Sequence, residues 1–383
     1  MRSLNEIRQD INQIDAQMQA LFLQRMELAE QVAECKMVTG DKVLKPDREQ
    51  AMLETLQQQV PASLQPEYVS MLKGLIRVSR MHQYEHILSK DPAKLTLPVA
   101  ERLQMTKSVV YQGLPASYQS QAAQVMFPQA ETIDHVSTFE DVFRAVAEHR
   151  ADVGVVPIEN SSIGTINEVC DLLMKYDLYI SHSHINAIRH CLAGCKHATM
   201  DTVEKVYSIE PALDQCQNYL RQHGFTLCKA ANTAVAAKQV QEWNDPSCAA
   251  VCSEDAARLY GLKILAAAIN DDCTNQTRFV AVSRQLSACE TDNRVSLAFT
   301  LPHQQGTLSA ALSMFSDHNI NLTEIHSRPL PETPWNYRFY VDLEGSLASE
   351  NVRSLIYQLS EELRSLRLLG SYQITQTKED CPT

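Results

Sequence analysis

Several things are missing from this chain of 383 residues, and each absence removes a class of function. No run approaches eighteen consecutive apolar residues, so no helix is expected to cross a membrane. No apolar core follows a basic N-terminus as it does in a leader peptide, so export is not expected and a cytoplasmic protein is. Positive charge is scarce: 34 Lys and Arg stand against 46 Asp and Glu, a net −12 that argues against nucleic acid or an anionic membrane as partner. A site for an anionic substrate must therefore concentrate its cations locally. There is no CxxC pair among the eleven cysteines, which are odd in number and scattered, and this fits reduced thiols better than a disulfide framework. His182, His184, His190, Cys191, Cys195 and His197 are of metal-ligating types, but their spacing matches no closed zinc site. They are taken as packing residues, and neither metal nor cofactor is expected. Low-complexity tracts and internal repeats are also lacking. With 44% apolar and 21% charged residues, the chain should be globular throughout, in two to four domains.

Residues 4–37 have the pattern of one long helix. Leu4, Ile7, Ile11, Ile14, Met18, Leu21, Leu28, Val32 and Cys35 recur in steps of three and four with one gap. Such a helix would be about 50 Å long, more than a small domain covers. The helical segment, residues 1–88, is therefore expected to bury it against a second copy, giving a homodimer or higher oligomer. Thr39-Gly40-Asp41 stops it, a second helix starts at Pro46, and a third runs from about Pro66 to Leu88. The gap in the stripe is Arg25. Lys36 follows about three turns later on nearly the same face, roughly 16 Å away. Ser79 and Gln83, spaced i,i+4, intrude beside the stripe of Tyr68, Leu72 and Leu75, and Arg48-Glu49 opens the second helix. Interhelical ion pairing is one account of these groups. Cations without carboxylates on the same stripe are costly to bury, so the preferred account is a site for a small dicarboxylate. Residues 89–106, with two prolines and mixed charge, read as a linker.

From Lys107 strands and helices alternate, in the pattern of an α/β domain over 107–284 with a second lobe at about 186–262. Its most informative stretch is VVPIENSSIG, Val155 to Gly164. A buried β-branched strand runs into Pro157, which is expected to end the ladder. Glu159, Asn160, Ser161 and Ser162 follow, then Gly164 and a helical pattern through Ile166, Val169, Leu172 and Leu173. Capping a helix needs one polar residue, and four bunched ahead of a helix N-terminus indicate a binding turn. The chain returns through NQTRFVAVSR, Asn275 to Arg284, as a buried strand, so two lobes joined by crossing strands should enclose a cleft. A compact module over 294–375 then follows: strand 295–301, helix 306–318, strands 320–327 and 337–344, helix 350–366, strand 367–374. This β-α-β-β-α-β order is ferredoxin-like.

These residues carry a resemblance. The helical segment resembles the small all-helical type of chorismate mutase, with Arg8, Arg25, Lys36, Arg48, Glu49, Ser79 and Gln83 at matching places. Residues 107–284 resemble prephenate dehydratase through YQGLPASY (Tyr111 to Tyr118), VVPIENSSIG, Ser208 with Gln215, NTAVAA (Asn232 to Ala237) and NQTRF. The last module resembles a phenylalanine-sensing ACT domain through GTL (Gly306 to Leu308), HSRP (His326 to Pro329) and PWNYRFYVDLEG (Pro334 to Gly345). The order is that of the bifunctional chorismate mutase–prephenate dehydratases. Where that pattern has Asp before Pro46 this chain has Lys45, and where the ACT motif begins with Glu it has His326.

The resemblance implies an all-α mutase, a two-lobed α/β dehydratase and a βαββαβ regulatory module, with chorismate and prephenate as substrates and L-phenylalanine as effector. The mutase reaction is pericyclic, so its catalyst needs fixed charge and donors rather than a nucleophile. Arg25 and Arg48, with Arg8 of a second subunit, would grip the carboxylates. Lys36 and Gln83 would donate to the ether oxygen beside Ser79, and Glu49 would hold the ring hydroxyl. In the dehydratase Thr277 would be the acid, polarised by a neighbour in Glu159-Asn160-Ser161. Tyr118, Ser208, Gln215 and Thr233 would complete the cleft, and Arg278 would either bind a carboxylate or brace the turn. Gly306, Thr307 and Leu308, with His326, Ser327, Arg328 and Pro329, would hold the effector between two subunits. Alternatives are a dehydratase with a weak or inactive mutase, a non-catalytic sensor, and an exported solute-binding protein. Prephenate and arogenate are not distinguished.

Overall fold

A computed structural model describes residues 2–100, 106–330, 333 and 335–376. Part of the expected linker, 101–105, and Pro334 of PWNYRFYVDLEG lie outside the described residues. The chain forms two compact units, Met1–Pro98 with Leu297–Arg367, and Val99–Ser296 with the segment from Leu368.

The first unit opens with three helices, α1 (Leu4–Thr39), α2 (Pro46–Gln57) and α3 (Gln65–Lys90). α1 starts at a reciprocal cap: Ser3 Oγ accepts from the Glu6 N–H at 3.3 Å, and Glu6 accepts from the Ser3 N–H at 2.7 Å. It ends where Gly40 turns left-handed at φ 73°. The residues it buries are Met26, Ala29 and Ala33. Its apolar stripe stays in solvent, with Leu4 62%, Ile14 54% and Leu21 65% exposed. α2 and α3 share a small core of Leu53, Leu72 and Ile76.

The second unit is two-lobed. The first lobe holds β1 (Val99–Ala100), β2 (Ser108–Gln112), α4 (Tyr118–Met126), β3 (Thr132–Val136), α5 (Phe139–Ala147), β4 (Val153–Asn160), β5 (Gly164–Thr165), α6 (Asn167–Tyr176) and β6 (Tyr179–Ala187). The second holds β7 (Cys191–Gly194), β8 (Lys205–Ser208), α7 (Glu210–Asp214), α8 (Gln217–Gln222), β9 (Thr226–Lys229), α9 (Thr233–Trp243), β10 (Cys248–Cys252), α10 (Glu254–Leu259) and β11 (Lys263–Ala266). The chain returns to the first lobe through β12 (Gln276–Ser283) and β13 (Leu286–Ser287). The strand orders are β6-β12-β4-β2-β3 and β11-β7-β10-β8-β9, with β12 antiparallel to both its neighbours.

Three expectations are corrected here. The second lobe runs past 262 to Ala266, because β11 pairs with β7. The last described part of the linker is a strand, Val99–Ala100, parallel to β13. Pro157 does not end β4: the ladder skips from Phe279↔Pro157 to Arg278↔Glu159, and this bulge accommodates the missing donor. The strand therefore reaches Asn160 and folds back as β5, with Gly164 at φ +85° in the turn. The polar residues Glu159 to Ser162 thus sit at a hairpin tip rather than at the start of α6, whose N-cap is Ile166 without a side-chain cap.

The C-terminal module contains β14 (Arg294–Leu301), α11 (Thr307–Asp317), β15 (Leu322–Pro329), β16 (Tyr337–Glu344), α12 (Glu350–Glu362) and β17 (Ser365–Tyr372), followed by β18 (Ile374–Gln376). Its strand order, β15-β16-β14-β17, leaves β15 at the edge. α12 stops at Glu362 rather than 366. Its helices α11 and α12 pack on α3 within the first unit.

Candidate active sites

The first site is a cavity of about 230 Å³ among α1, α2 and α3, lined by Arg25, Lys36, Lys45, Arg48, Glu49, Ser79, Arg80 and Gln83. Of its five cations Lys45 is paired with Asp41 and Arg80 with Glu49 and Glu362, which leaves Arg25, Lys36 and Arg48 to face an anionic ligand. Lys36 Nζ donates to Val43 O at 2.9 Å and Gln83 Oε1 at 3.1 Å, which leaves a third ammonium hydrogen. Gln83 Nε2 donates to Ser79 O at 3.1 Å, which fixes the amide and leaves its other hydrogen. Arg25 Nη1 donates to Leu75 O at 3.4 Å. Burial lowers the pKa of Arg25, and it also lowers that of Lys36, where Lys45 and Arg48 act in the same direction. Glu49 and Asp41 oppose the shift at Lys36 without cancelling it.

Of the expected residues, Arg25, Lys36, Arg48, Glu49, Ser79 and Gln83 are brought together. Arg8 is not: it is exposed on α1, about 25 Å along the axis from Arg25. Two further residues complete the lining, Lys45, noted in the sequence as a departure, and Arg80, which the sequence did not single out. Lys45 joins the lining while pairing with Asp41 at 2.9 Å. Arg80 lies on α3 beside Ser79, and its Nη1 is 2.7 Å from Glu49 Oε2.

The second site is built on the β4–β12 pair, where Thr277 stands opposite Asn160 and Arg278 opposite Glu159. Asn160 Nδ2 donates toward Thr277 Oγ1 at 2.9 Å, Asn275 Oδ1 at 2.9 Å and Gln276 O at 3.0 Å. Its Oδ1 accepts the N–H groups of Ser162 and Ile163 at 2.9 and 3.1 Å. The hairpin thus locks the amide, and the amide in turn takes a lone pair of the Thr277 hydroxyl. Ser161 ties the same tip to β12, accepting at Oγ from Gln276 N–H at 3.0 Å. Arg278 Nε lies 3.3 Å from Glu159 Oε2.

A polar chain crosses from here to the second lobe. Asn275 Nδ2 donates to Gln215 Oε1 at 2.8 Å, His190 Nε2 meets the same oxygen at 3.2 Å, and Tyr118 Oη lies 3.1 Å from His190 Nδ1. The shared oxygen can only accept, so Nε2 carries the hydrogen and Nδ1 is the unprotonated nitrogen, while the Tyr118 hydroxyl donates to Arg189 O at 2.7 Å. Burial pushes the His190 pKa down to about 4, which keeps the imidazole neutral. His190 and Asn275 join the chain although the sequence does not mark them as site residues, His190 having the spacing of a packing residue. Ser208 stands apart, fully buried with its hydroxyl donating to Val251 O at 2.7 Å. Thr233 is the first residue of α9, behind its N-cap Asn232.

In the C-terminal module Gly306 caps α11 at φ 83°, and Thr307 Oγ1 donates to the carbonyls of Pro302 and Gln304 at 3.0 Å each. Leu308 is exposed. On β15, His326 stacks on Tyr340 at 4.9 Å and pairs with Glu324 at 3.3 Å. Ser327 and Pro329 face outward along the same strand, and Arg328 alternates with them.

Two family models match the chain, chorismate mutase type II over residues 7–84 and prephenate dehydratase over 109–287. The bifunctional chorismate mutase/prephenate dehydratase of Aquifex aeolicus (strain VF5) is 32% identical over 97% of this chain and 98% of its own length. The chain belongs to the bifunctional chorismate mutase/prephenate dehydratase family. The cationic helical cavity lies within the residues that match the mutase, and the β4–β12 pair within those that match the dehydratase. Arogenate dehydratase/prephenate dehydratase 2 of Arabidopsis thaliana is 38% identical over 70% of the chain and 73% of its own. A prephenate dehydratase structure from Arthrobacter aurescens, in complex with L-Phe, superposes with TM-score 0.64 at 25% identity, covering 69% of this chain and 89% of that one. Among the described residues no helix is long and apolar enough to cross a membrane.

Proposed function

We propose that the chain rearranges chorismate to prephenate in the helical cavity and converts prephenate to phenylpyruvate at Thr277. The observation that carries this reading is the direction of the Asn160–Thr277 hydrogen bond. An amide N–H donating into Thr277 Oγ1 leaves the hydroxyl hydrogen free for the cleft and stabilises negative charge on that oxygen. The hydroxyl then protonates the leaving hydroxyl of prephenate as the ring carboxylate departs as carbon dioxide. Water leaves, the ring becomes aromatic, and the Thr277 oxygen recovers a proton from solvent. Glu159 and Arg278 hold the hairpin, while Tyr118, Gln215 and Ser161 shape the cleft with Ser208 and Thr233 behind it.

In the mutase, Arg25 and Arg48 hold the carboxylates, and the spare hydrogens of Lys36 and Gln83 meet the ether oxygen where charge develops. Glu49 holds the ring hydroxyl, and Ser79 fixes Gln83. The exposed stripe of α1 supports pairing with a second chain, which would bring its Arg8 to this cavity. The module from β14 to β17 is an ACT domain on this reading. Its edge strand β15 supports side-by-side pairing, with L-phenylalanine between the Gly306–Leu308 turn and His326–Pro329 of a neighbour, lowering dehydratase activity. The relative from Arabidopsis favours arogenate as a second dehydratase substrate. Incubating the pure protein with chorismate, prephenate and arogenate, each with and without L-phenylalanine, and following product formation tests all of this. Absence of phenylpyruvate from prephenate would overturn the dehydratase assignment.

A further inference from the structure

Arg80 is the most heavily engaged side chain at the mutase cavity. Its Nη1 reaches Glu49 Oε2 at 2.7 Å, while Nε and Nη2 grip both oxygens of Glu362, the last residue of α12, at 2.9 and 3.1 Å. Arg80 is 15% exposed and Glu362 7%, so both charges are largely withdrawn from bulk water. The contacts continue inward. Gln358 Nε2 donates to Glu362 Oε1 at 3.0 Å, and Gln358 Oε1 lies 2.9 Å from Nε2 of His318, the C-cap of α11. Asp317, one residue earlier, pairs with Arg77 of α3. α11 begins at the Gly306 turn, so a rigid helix and a hydrogen-bonded chain join that turn to Glu49 inside one compact unit.

We propose that Arg80 is a positioning residue of the mutase reaction, orienting Glu49 while Glu362 fixes Arg80, so that displacement of α11 and α12 by an effector reaches the mutase cavity through it. The fork geometry accounts for arginine at this place: the planar guanidinium offers Nε and Nη2 to Glu362 and Nη1 to Glu49 in one fixed arrangement, which a lysine ammonium does not reproduce. The proposal rests on the roles given above to Glu49 and to the C-terminal module, and the test separates them.

The test uses the full chain and measures both activities in Arg80→Gln, Glu362→Gln, Glu49→Gln and the two double variants with Glu49→Gln, with and without L-phenylalanine. Arg80→Gln should lower mutase kcat/KM about 10- to 100-fold, the worth of one charged hydrogen bond. In the Glu49→Gln background the same change should cost less than about 3-fold, because its route of action is gone. Glu362→Gln should lower mutase kcat/KM by about 3- to 30-fold. Its dehydratase should keep its rate and its response to L-phenylalanine, while the mutase response disappears. Full additivity of Arg80→Gln with Glu49→Gln would make Arg80 merely structural and overturn the proposal. A mutase in Glu362→Gln with unchanged rate and unchanged response would overturn the coupling. Should Arg80→Gln fail to fold, seen as equal loss of both activities, the Glu362→Gln cycle with Glu49→Gln decides by the same criterion. If L-phenylalanine alters neither activity of the unmodified enzyme, the effector reading and the coupling both fall, and the Arg80–Glu49 cycle still decides positioning.

Discussion

Replacing Thr277 by valine removes one hydroxyl and keeps the branched shape that β12 accommodates. Its structural cost follows from the bonds that remain. Asn160 Nδ2 loses the Thr277 oxygen but keeps Asn275 Oδ1 at 2.9 Å and Gln276 O at 3.0 Å, so no buried donor is left unmet. The stability loss should be no more than about 1 kcal/mol, the net worth of one hydrogen bond. The catalytic cost is larger, because the lost group is the proton donor: kcat for phenylpyruvate formation should fall about 10²- to 10⁴-fold, with KM for prephenate little changed. Asn160→Asp is the sharper companion. An oxygen placed where Nδ2 now donates reverses the bond, so the Thr277 hydroxyl spends its hydrogen on the new carboxylate and turnover should fall similarly although the hydroxyl remains. The assay is phenylpyruvate absorbance under saturating prephenate, with thermal unfolding as the control for folding. Near-normal kcat in Thr277→Val would refute the assignment and move the acid role to Glu159, which a carboxyl-like acidic limb in the pH–rate profile would then reveal.

Arg25→Ala should reduce mutase activity by about 10²- to 10⁴-fold and spare the dehydratase, since the two sites share no residue; equal loss of both would make Arg25 structural. His190 has a folded pKa of about 4 against an ordinary value of 6.5, so the unfolded chain takes up its proton first as pH falls. The second unit should therefore keep this contribution above pH 6.5 and lose about 3 kcal/mol of it on the way to pH 4, with His190→Gln flattening the loss in denaturation series. Leu308→Asp should raise the L-phenylalanine concentration for half-inhibition of the dehydratase about 10-fold or more, read by calorimetry and activity together.

Local chemistry made much of this legible. The three-and-four spacing of α1, the stop at Gly40, and the polar intrusions Arg25, Lys36, Ser79 and Gln83 all found their place, because a helix puts known spacings on known faces. What pairing decides was not legible. The bulge that carries β4 past Pro157 depends on β12, more than a hundred residues later, and without it Asn160 would not face Thr277. His190 looked like packing because its partners, Tyr118 and Gln215, come from different lobes. Arg80 stood next to a recognised residue, yet the partner that gives it meaning, Glu362, lies 282 positions away.

On the pairing proposed for α1, its apolar stripe makes the balance of the two reactions a matter of protein concentration. A single chain leaves Leu4, Ile14 and Leu21 in water and carries Arg8 far from its own cavity, so on the proposed pairing a partner completes the mutase site and none is needed by the dehydratase. Dilution below the dissociation constant of the pair would then extinguish the first reaction while the second continues. The ratio of the two rates, measured across a dilution series of one preparation, would trace how many chains are paired.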